Sequence, residues 1–193
     1  MSRRAQRSYA ERRAEKAAVE DPAVVLEAAA RFLEARARSV GEVRRRLTSA
    51  GYRSDLIEGA IDRMTELGML DDATFARAWI ESRDRARPRG ERALSEELRV
   101  RGVDRSVIVA ALDERRTTAA DDGEDATPSA DEAAAERLLA RHARALDRIA
   151  DPRARRQRAY ALLARNGFDP SVCGSASAAL MRGADVDDPV TPE

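Results

Sequence analysis

Residues 67–101, LGMLDDATFARAWIESRDRARPRGERALSEELRVR, decide how the rest of the chain is read. Phe75 and Trp79 stand one helical turn apart, which predicts a helix with both rings on its buried side. Asp71 or Asp72 is placed to cap that helix, and Pro88 and Gly90 break it. A second helix should run from about Glu91 to Arg101 with Leu94 and Leu98 inward, and Gly102 should stop it in a left-handed conformation. Asp104 then caps a third helix bearing Val107, Ile108, Ala111 and Leu112.

The same grammar extends in both directions. Upstream, Asp21-Pro22 opens a helix with Val25, Ala29 and Phe32 on one face. Ser39 and Glu42 form a capping-box signature ahead of Val40, Val43 and Leu47. Gly51 stops that helix, Ser54 caps the next (Ile57, Ile61, Met64, Leu67), and Gly68 ends it. Downstream, a helix is expected from about Asp131 to Ile149. Asp151-Pro152 opens another, with Ala159, Tyr160 and Leu163 as its apolar side, and Gly167 stops it. Asp169-Pro170 caps a last helix ending near Met181. Three glycine stops align: Leu47-TSA-Gly51-Tyr52, Leu98-RVR-Gly102-Val103 and Leu163-ARN-Gly167-Phe168 share Leu-x-x-x-Gly-apolar. Leu56, Val107 and Val172 follow at one common offset. This repeat predicts an all-α chain: an elongated, curved array of three tandem three-helix modules of the helix-turn-helix kind. The boundaries read as a basic arm at 1–20, modules at 21–68, 69–114 and 131–182, an acidic linker at 115–130 and a loose tail at 183–193.

Composition agrees. Of 193 residues, 36 % are charged and only 4 % aromatic, which favours helix over sheet. Net charge is zero, so indiscriminate polyanion binding is disfavoured, but the charges are patchy. Residues 1–16 carry a balance of +4 and residues 141–165 one of +6, whereas Asp121, Asp122, Glu124, Asp125, Asp131 and Glu132 make an acidic stretch. The arm reads either as a frayed, partly helical segment or as a phosphate-contacting one. Lys16 is the sole lysine, so positive charge is nearly all Arg, a bias that a GC-rich genome alone can produce. Cys173 stands alone, which fits a reducing compartment. No apolar run approaches the roughly 20 residues of a membrane span. A cytoplasmic monomer is expected.

Catalytic chemistry finds no residues to carry it. There is no phosphate-cradling glycine loop. One histidine, His142, and one cysteine cannot build a zinc site or a Cys–His dyad. The adjacent carboxylates Asp71 and Asp72 suit helix capping better than acid–base work. No cofactor and no metal are expected. What remains is arginine. Arg83, Arg85, Arg87, Arg89, Arg92, Arg99 and Arg101 crowd one helix junction, and Arg153, Arg155, Arg156 and Arg158 crowd another. Guanidinium groups fork onto phosphates and carboxylates, so both clusters are candidate partner- or DNA-binding sites. The alternative is a solvated face laced with i,i+4 ion pairs.

The ordered set Arg38-Ser39-x-x-Glu42-Val43-x-x-x-Leu47-x-x-x-Gly51-Tyr52, Gly68-Met69-Leu70-Asp71-Asp72-x-x-Phe75-Ala76 and Gly90-x-x-x-Leu94-x-x-Glu97-Leu98-x-x-x-Gly102-Val103 resembles the RecX family over about residues 25–114. Residues 131–182 fit in architecture with weaker motifs. The resemblance implies a non-enzymatic regulator built from three tandem three-helix modules. Such proteins lie in the groove of the RecA–DNA filament and lower its ATP hydrolysis, strand exchange and co-protease activity in recombination and the SOS response to DNA damage. The Arg clusters would then meet filament protein or DNA phosphate. Two other readings stand beside it: a direct DNA-binding helical-repeat protein, and a structural adaptor for another helical partner.

Overall fold

The computed structural model describes residues 8–120 and 128–184. Every regular element among them is helical: α1 (Tyr9–Ala17), α2 (Pro22–Leu33), α3 (Val40–Ala50), α4 (Ser54–Glu66), α5 (Asp72–Ala86), α6 (Glu91–Val100), α7 (Arg105–Ala120), α8 (Ala130–Asp147), α9 (Pro152–Arg165) and α10 (Pro170–Ala184). None of them is long and apolar enough to cross a membrane. The chain divides into two compact units. One comprises the chain up to Ala76 with Arg99–Val107, and the other comprises Arg77–Leu98 with the chain from Ile108 onward.

The helix ends follow from side-chain chemistry. Asp21 and Asp151 accept amide hydrogens at the starts of α2 and α9, each ahead of a proline at the first helical position. Gly51, Gly68, Gly102 and Gly167 all have positive φ, as stops require. Three expectations need correction. Ser39 Oγ does accept from Glu42 N, but the Glu42 carboxylate turns to Arg36 at 3.1 Å, so the capping box is half made. Ser54 is the first residue of α4 and not its cap; the N-cap is Arg53, which makes no side-chain cap bond and pairs with Asp55. The first residues of the stretch expected as a linker, 115–120, are helical, because α7 runs through Ala120. The acidic residues at 121–125 and the arm residues before Ser8 lie outside the described residues, as does the tail beyond Ala184.

In the first unit α2 lies against α3 and α4. Val25, Ala29, Val43, Leu47, Tyr52, Ile57, Ile61, Met64 and Leu70 form its core. In the second unit α8, α9 and α10 surround Leu138, Leu139, Leu146, Leu163, Phe168 and Cys173. Truncating any of the fully buried leucines to Ala should cost about 2–5 kcal/mol.

Each unit also contains a close helix-end junction. In the first, a Cβ on Gly41 would lie 2.7 Å from the Gly102 Cα, and Ser39 Oγ donates to the Arg101 carbonyl at 2.7 Å. In the second, a Cβ on Gly90 would lie 2.3 Å from the Gly167 carbonyl oxygen, and Gly90 N–H donates to the Asn166 carbonyl at 3.1 Å. Only residues without a side chain let two backbones approach this closely.

Candidate functional site

The adjacent carboxylates separate into two structural jobs. Asp71 caps α5, accepting from Ala73 N at 2.8 Å and Thr74 N at 3.2 Å. Asp72 turns away and accepts from Val40 N at 2.9 Å, at the start of α3. Burial pushes the Asp72 carboxyl above its ordinary range. Both groups are committed to backbone amides. His142 sits on α8 with Nδ1 3.0 Å from the Leu138 carbonyl. Among the described residues no group of three or more His, Cys, Asp or Glu side chains could hold a metal ion.

The middle arginine cluster is less uniform than its sequence. Arg83 stacks over the Trp79 ring at 4.3 Å and donates to Glu97 at 2.7 Å, while Trp79 Nε1 donates to the same carboxylate at 2.9 Å. Trp79 is therefore half-buried and polar-anchored, where a core position was expected; Phe75 is the buried ring of the pair. Arg89 donates to Asn166 Oδ1 at 2.6 Å and stands 3.5 Å from Glu97. Arg85 is exposed, 3.9 Å from Glu81. These three serve internal contacts. Arg87 and Arg92 are exposed, with no side-chain hydrogen bond or ion pair among the described residues. The Asp169 carboxyl is held below its ordinary range, chiefly by hydrogen bonds from Ser171, and the Arg92 charge adds to this. Arg99, exposed, and Arg101, half-buried, belong to the first unit.

On α9 the four arginines also diverge. Arg155 turns back to donate to the Ile149 carbonyl at 3.1 Å. Arg158 is exposed. Arg153, Arg156, Gln157 and Tyr160 recur at i, i+3, i+4 and i+7, so they share one face of the helix. With Ser177 of α10 they line a shallow groove of about 280 Å³. Tyr160 is 39 % exposed, correcting its assignment to the apolar side of α9, which Ala159 and Leu163 provide.

Two arginine sites escaped the sequence reading. Arg115 is buried and holds three partners. It forks onto Asp84 with two bonds of 2.9 Å, donates to Asp131 at 2.6 Å, and reaches the Ala130 carbonyl at 3.3 Å. Burial works against its charge, yet the two carboxylates outweigh that and its pKa is raised. The Asp131 carboxyl is itself pushed up by burial, Arg115 notwithstanding. The signal was present: Ile108, Ala111, Leu112 and Arg115 continue one helical face. In the first unit, Arg38 and Arg46 flank the Phe32 ring at 4.2 and 5.8 Å. They lack carboxylate partners among the described residues, whereas nearby Arg36 and Arg44 are paired with Glu42 and Glu58.

Comparison with known proteins places this arrangement. Residues 26–64 match the first three-helix domain of RecX, and residues 71–112 match the second. A regulatory protein RecX of Mycobacterium ulcerans is 35 % identical over 142 residues, which cover 74 % of this chain and 76 % of the relative. The chain belongs to the RecX family. Another RecX regulatory protein, from Mycolicibacterium smegmatis, is 45 % identical over 82 residues, 42 % of this chain and 44 % of that relative, so this match spans less than half of its length. The crystal structure of RecX from Lactobacillus salivarius superposes with a TM-score of 0.69 at 17 % identity, covering 83 % of this chain and 97 % of that one. A second RecX crystal structure superposes with a TM-score of 0.67 at 18 % identity. Both establish the all-α RecX fold. The Tyr160 groove lies beyond the two matched three-helix domains.

Proposed function

We propose that this RecX family member acts in the cytoplasm as a non-enzymatic regulator that binds the RecA–DNA filament and lowers its ATP hydrolysis, strand exchange and co-protease activity. The observation that carries the reading is the match to a RecX regulatory protein over about three quarters of both chains. The pairing state of the arginines supports it and refines the candidate surface. Arg87, Arg92, Arg153, Arg156 and Arg158 are exposed without internal ion pairs among the described residues, so they are free to meet filament carboxylates or phosphates. Arg83 and Arg89 are held by Glu97 and Asn166 and shape the surface from beneath. Three modules, at 21–68, 69–114 and 131–182, are the units we assign to successive contacts.

The test is single-stranded-DNA-dependent ATP hydrolysis by the cognate recombinase, titrated with this protein. Loss of activity well below one regulator per recombinase monomer is expected. No effect at any ratio overturns the reading.

A further inference from the structure

We propose that the α9 groove is a binding site for single-stranded nucleic acid, with an unpaired base against the Tyr160 ring and flanking phosphates on Arg153 and Arg156. The proposal deepens the filament reading by assigning its nucleic-acid contact to a place, and its test needs no recombinase.

Three observations converge. Tyr160, 39 % exposed, is the one aromatic residue of α9 and lies off the side on which Ala159 and Leu163 are fully buried and Leu162 is partly buried. A ring left in solvent retains a face on which any base can stack. Arg153 and Arg156 line the same groove of about 280 Å³ and have no side-chain hydrogen bond or ion pair among the described residues. Other exposed guanidinium groups are paired, as Arg44 is with Glu58, Arg53 with Asp55 and Arg116 with Glu91, whereas Arg87, Arg92 and Arg158 share the unpaired state of the groove pair among the described residues. Finally, the groove is lined by no carboxylate: its remaining members are Gln157 and Ser177. Ser177 Oγ is taken up by the Gly174 carbonyl at 3.2 Å, so the polar work falls to the two guanidinium groups and the Gln157 amide. Two cations beside one aromatic ring, with no carboxylate in the groove lining and the nearby Asp151 carboxylate taken up by the Arg153 and Ala154 amides, are what a nucleotide step presents partners for. An acidic protein segment fits less well, because protein interfaces centre on a cluster of buried apolar anchors and Tyr160 is the single large apolar group here.

The experiment uses the full chain and fluorescent oligothymidine, with a duplex of equal length for comparison. Binding is followed by anisotropy across a salt series. Single strands should bind tighter than duplex, since a paired base cannot leave its stack to meet the ring. Tyr160→Ala and Tyr160→Leu should weaken single-strand binding about ten-fold with the salt slope unchanged, and Tyr160→Phe should bind like the native chain. Arg153→Gln with Arg156→Gln should instead flatten the slope by about 1.4, two phosphate contacts at roughly 0.7 each. Arg53→Gln, which removes a paired arginine elsewhere, should leave both quantities alone. All the altered side chains are exposed, and helical circular dichroism checks that each variant folds. Equal binding by native, Ala and Leu forms overturns the proposal, as does equal affinity for duplex. So does an Arg153→Gln/Arg156→Gln form that loses binding to polyglutamate while keeping native affinity for DNA, the result for an acidic-peptide site.

Discussion

Replacing Arg115 with methionine tests the ion cluster around the one buried charged residue among those described. The side chain is 6 % exposed, and its partners Asp84 and Asp131 are 22 % and 12 % exposed. Methionine keeps much of the packing stem and removes the charge. Asp131 then remains largely out of water without its counter-ion, Asp84 keeps only the half-exposed Arg137 at 3.8 Å, and breaking such a pair costs about 3–5 kcal/mol. At roughly 2–4 °C per kcal/mol, the melting temperature should fall by on the order of 10 °C. Trp79, the sole tryptophan, lies in the same unit and reports its unfolding in urea by fluorescence. The reason for the loss is separable from lost packing. Adding Asp84→Asn and Asp131→Asn removes the stranded charges, and the triple variant should regain most of the stability. Acid should act in the same direction. Burial already raises the Asp131 carboxyl, and removing Arg115 takes away the group that opposes the rise. A carboxyl whose folded pKa lies above its unfolded value favours folding fully below about pH 4, and that gain is lost as pH climbs through the folded pKa. The gap between native and Arg115→Met chains should therefore be widest at pH 7 and narrow as pH is lowered toward 4. A single variant within about 1 kcal/mol of native, or a triple variant no better than the single one, would refute the stranded-charge account.

Other outcomes follow from the same geometry. Gly90→Ala sets a Cβ 2.3 Å from the Gly167 carbonyl oxygen, a clash with backbone that should cost at least about 1–3 kcal/mol in thermal or urea unfolding. Gly59→Ala, on α4 with nothing within 4 Å, should instead stabilise by about 0.5–1 kcal/mol. Asp72→Asn keeps an oxygen for the Val40 amide and removes a charge that burial disfavours, so it should match or exceed the native melting temperature at pH 7. Its advantage should vanish as pH falls below the usual carboxylate pKa, where Asp72 is protonated and behaves like the amide; an advantage that grows in acid would contradict this.

Helix stops and caps were legible because each is a local chemical event. An Asp before a proline, or a glycine after Leu-x-x-x, reports its role within one turn. Partner choice by arginine is not local. Nothing in the run Arg83 to Arg92 distinguishes Arg83, which reaches Glu97 fourteen residues away, from Arg87, which reaches nothing described. Arg115 was hidden by its neighbours: the Thr, Ala and Asp that follow read as linker, and that composition outweighed the helical face running back to Ile108. Tyr160 was misplaced for the opposite reason. Its apolar character suggested the core side, but helical phase puts it with Arg153, Arg156 and Gln157.

The two glycine junctions share a chemistry that recurs once more. A helix C-terminus leaves its last carbonyls without intrahelical donors. At α6 the carbonyl of Arg101 receives the Ser39 hydroxyl, and at α9 the carbonyl of Asn166 receives the Gly90 amide. At α3 the carbonyl of Ser49 receives the Tyr9 hydroxyl at 3.0 Å, and a Cβ on Gly51 would meet the Arg13 carbonyl oxygen at 2.7 Å. The donors are the starts of α3 and α6 in two cases and of α1 in the third. A nine-residue helix with no buried residue has little reason to be helical by itself. It is held by the Ser8–Glu11 capping box, by Tyr9, and by Lys16 over the Tyr52 ring at 5.2 Å. Positive charge drew the sequence reading of this segment toward an arm. The informative signal was Ser8-x-x-Glu11, the signature that Ser39-x-x-Glu42 repeats, because it marks a helix start able to close the junction at the end of α3.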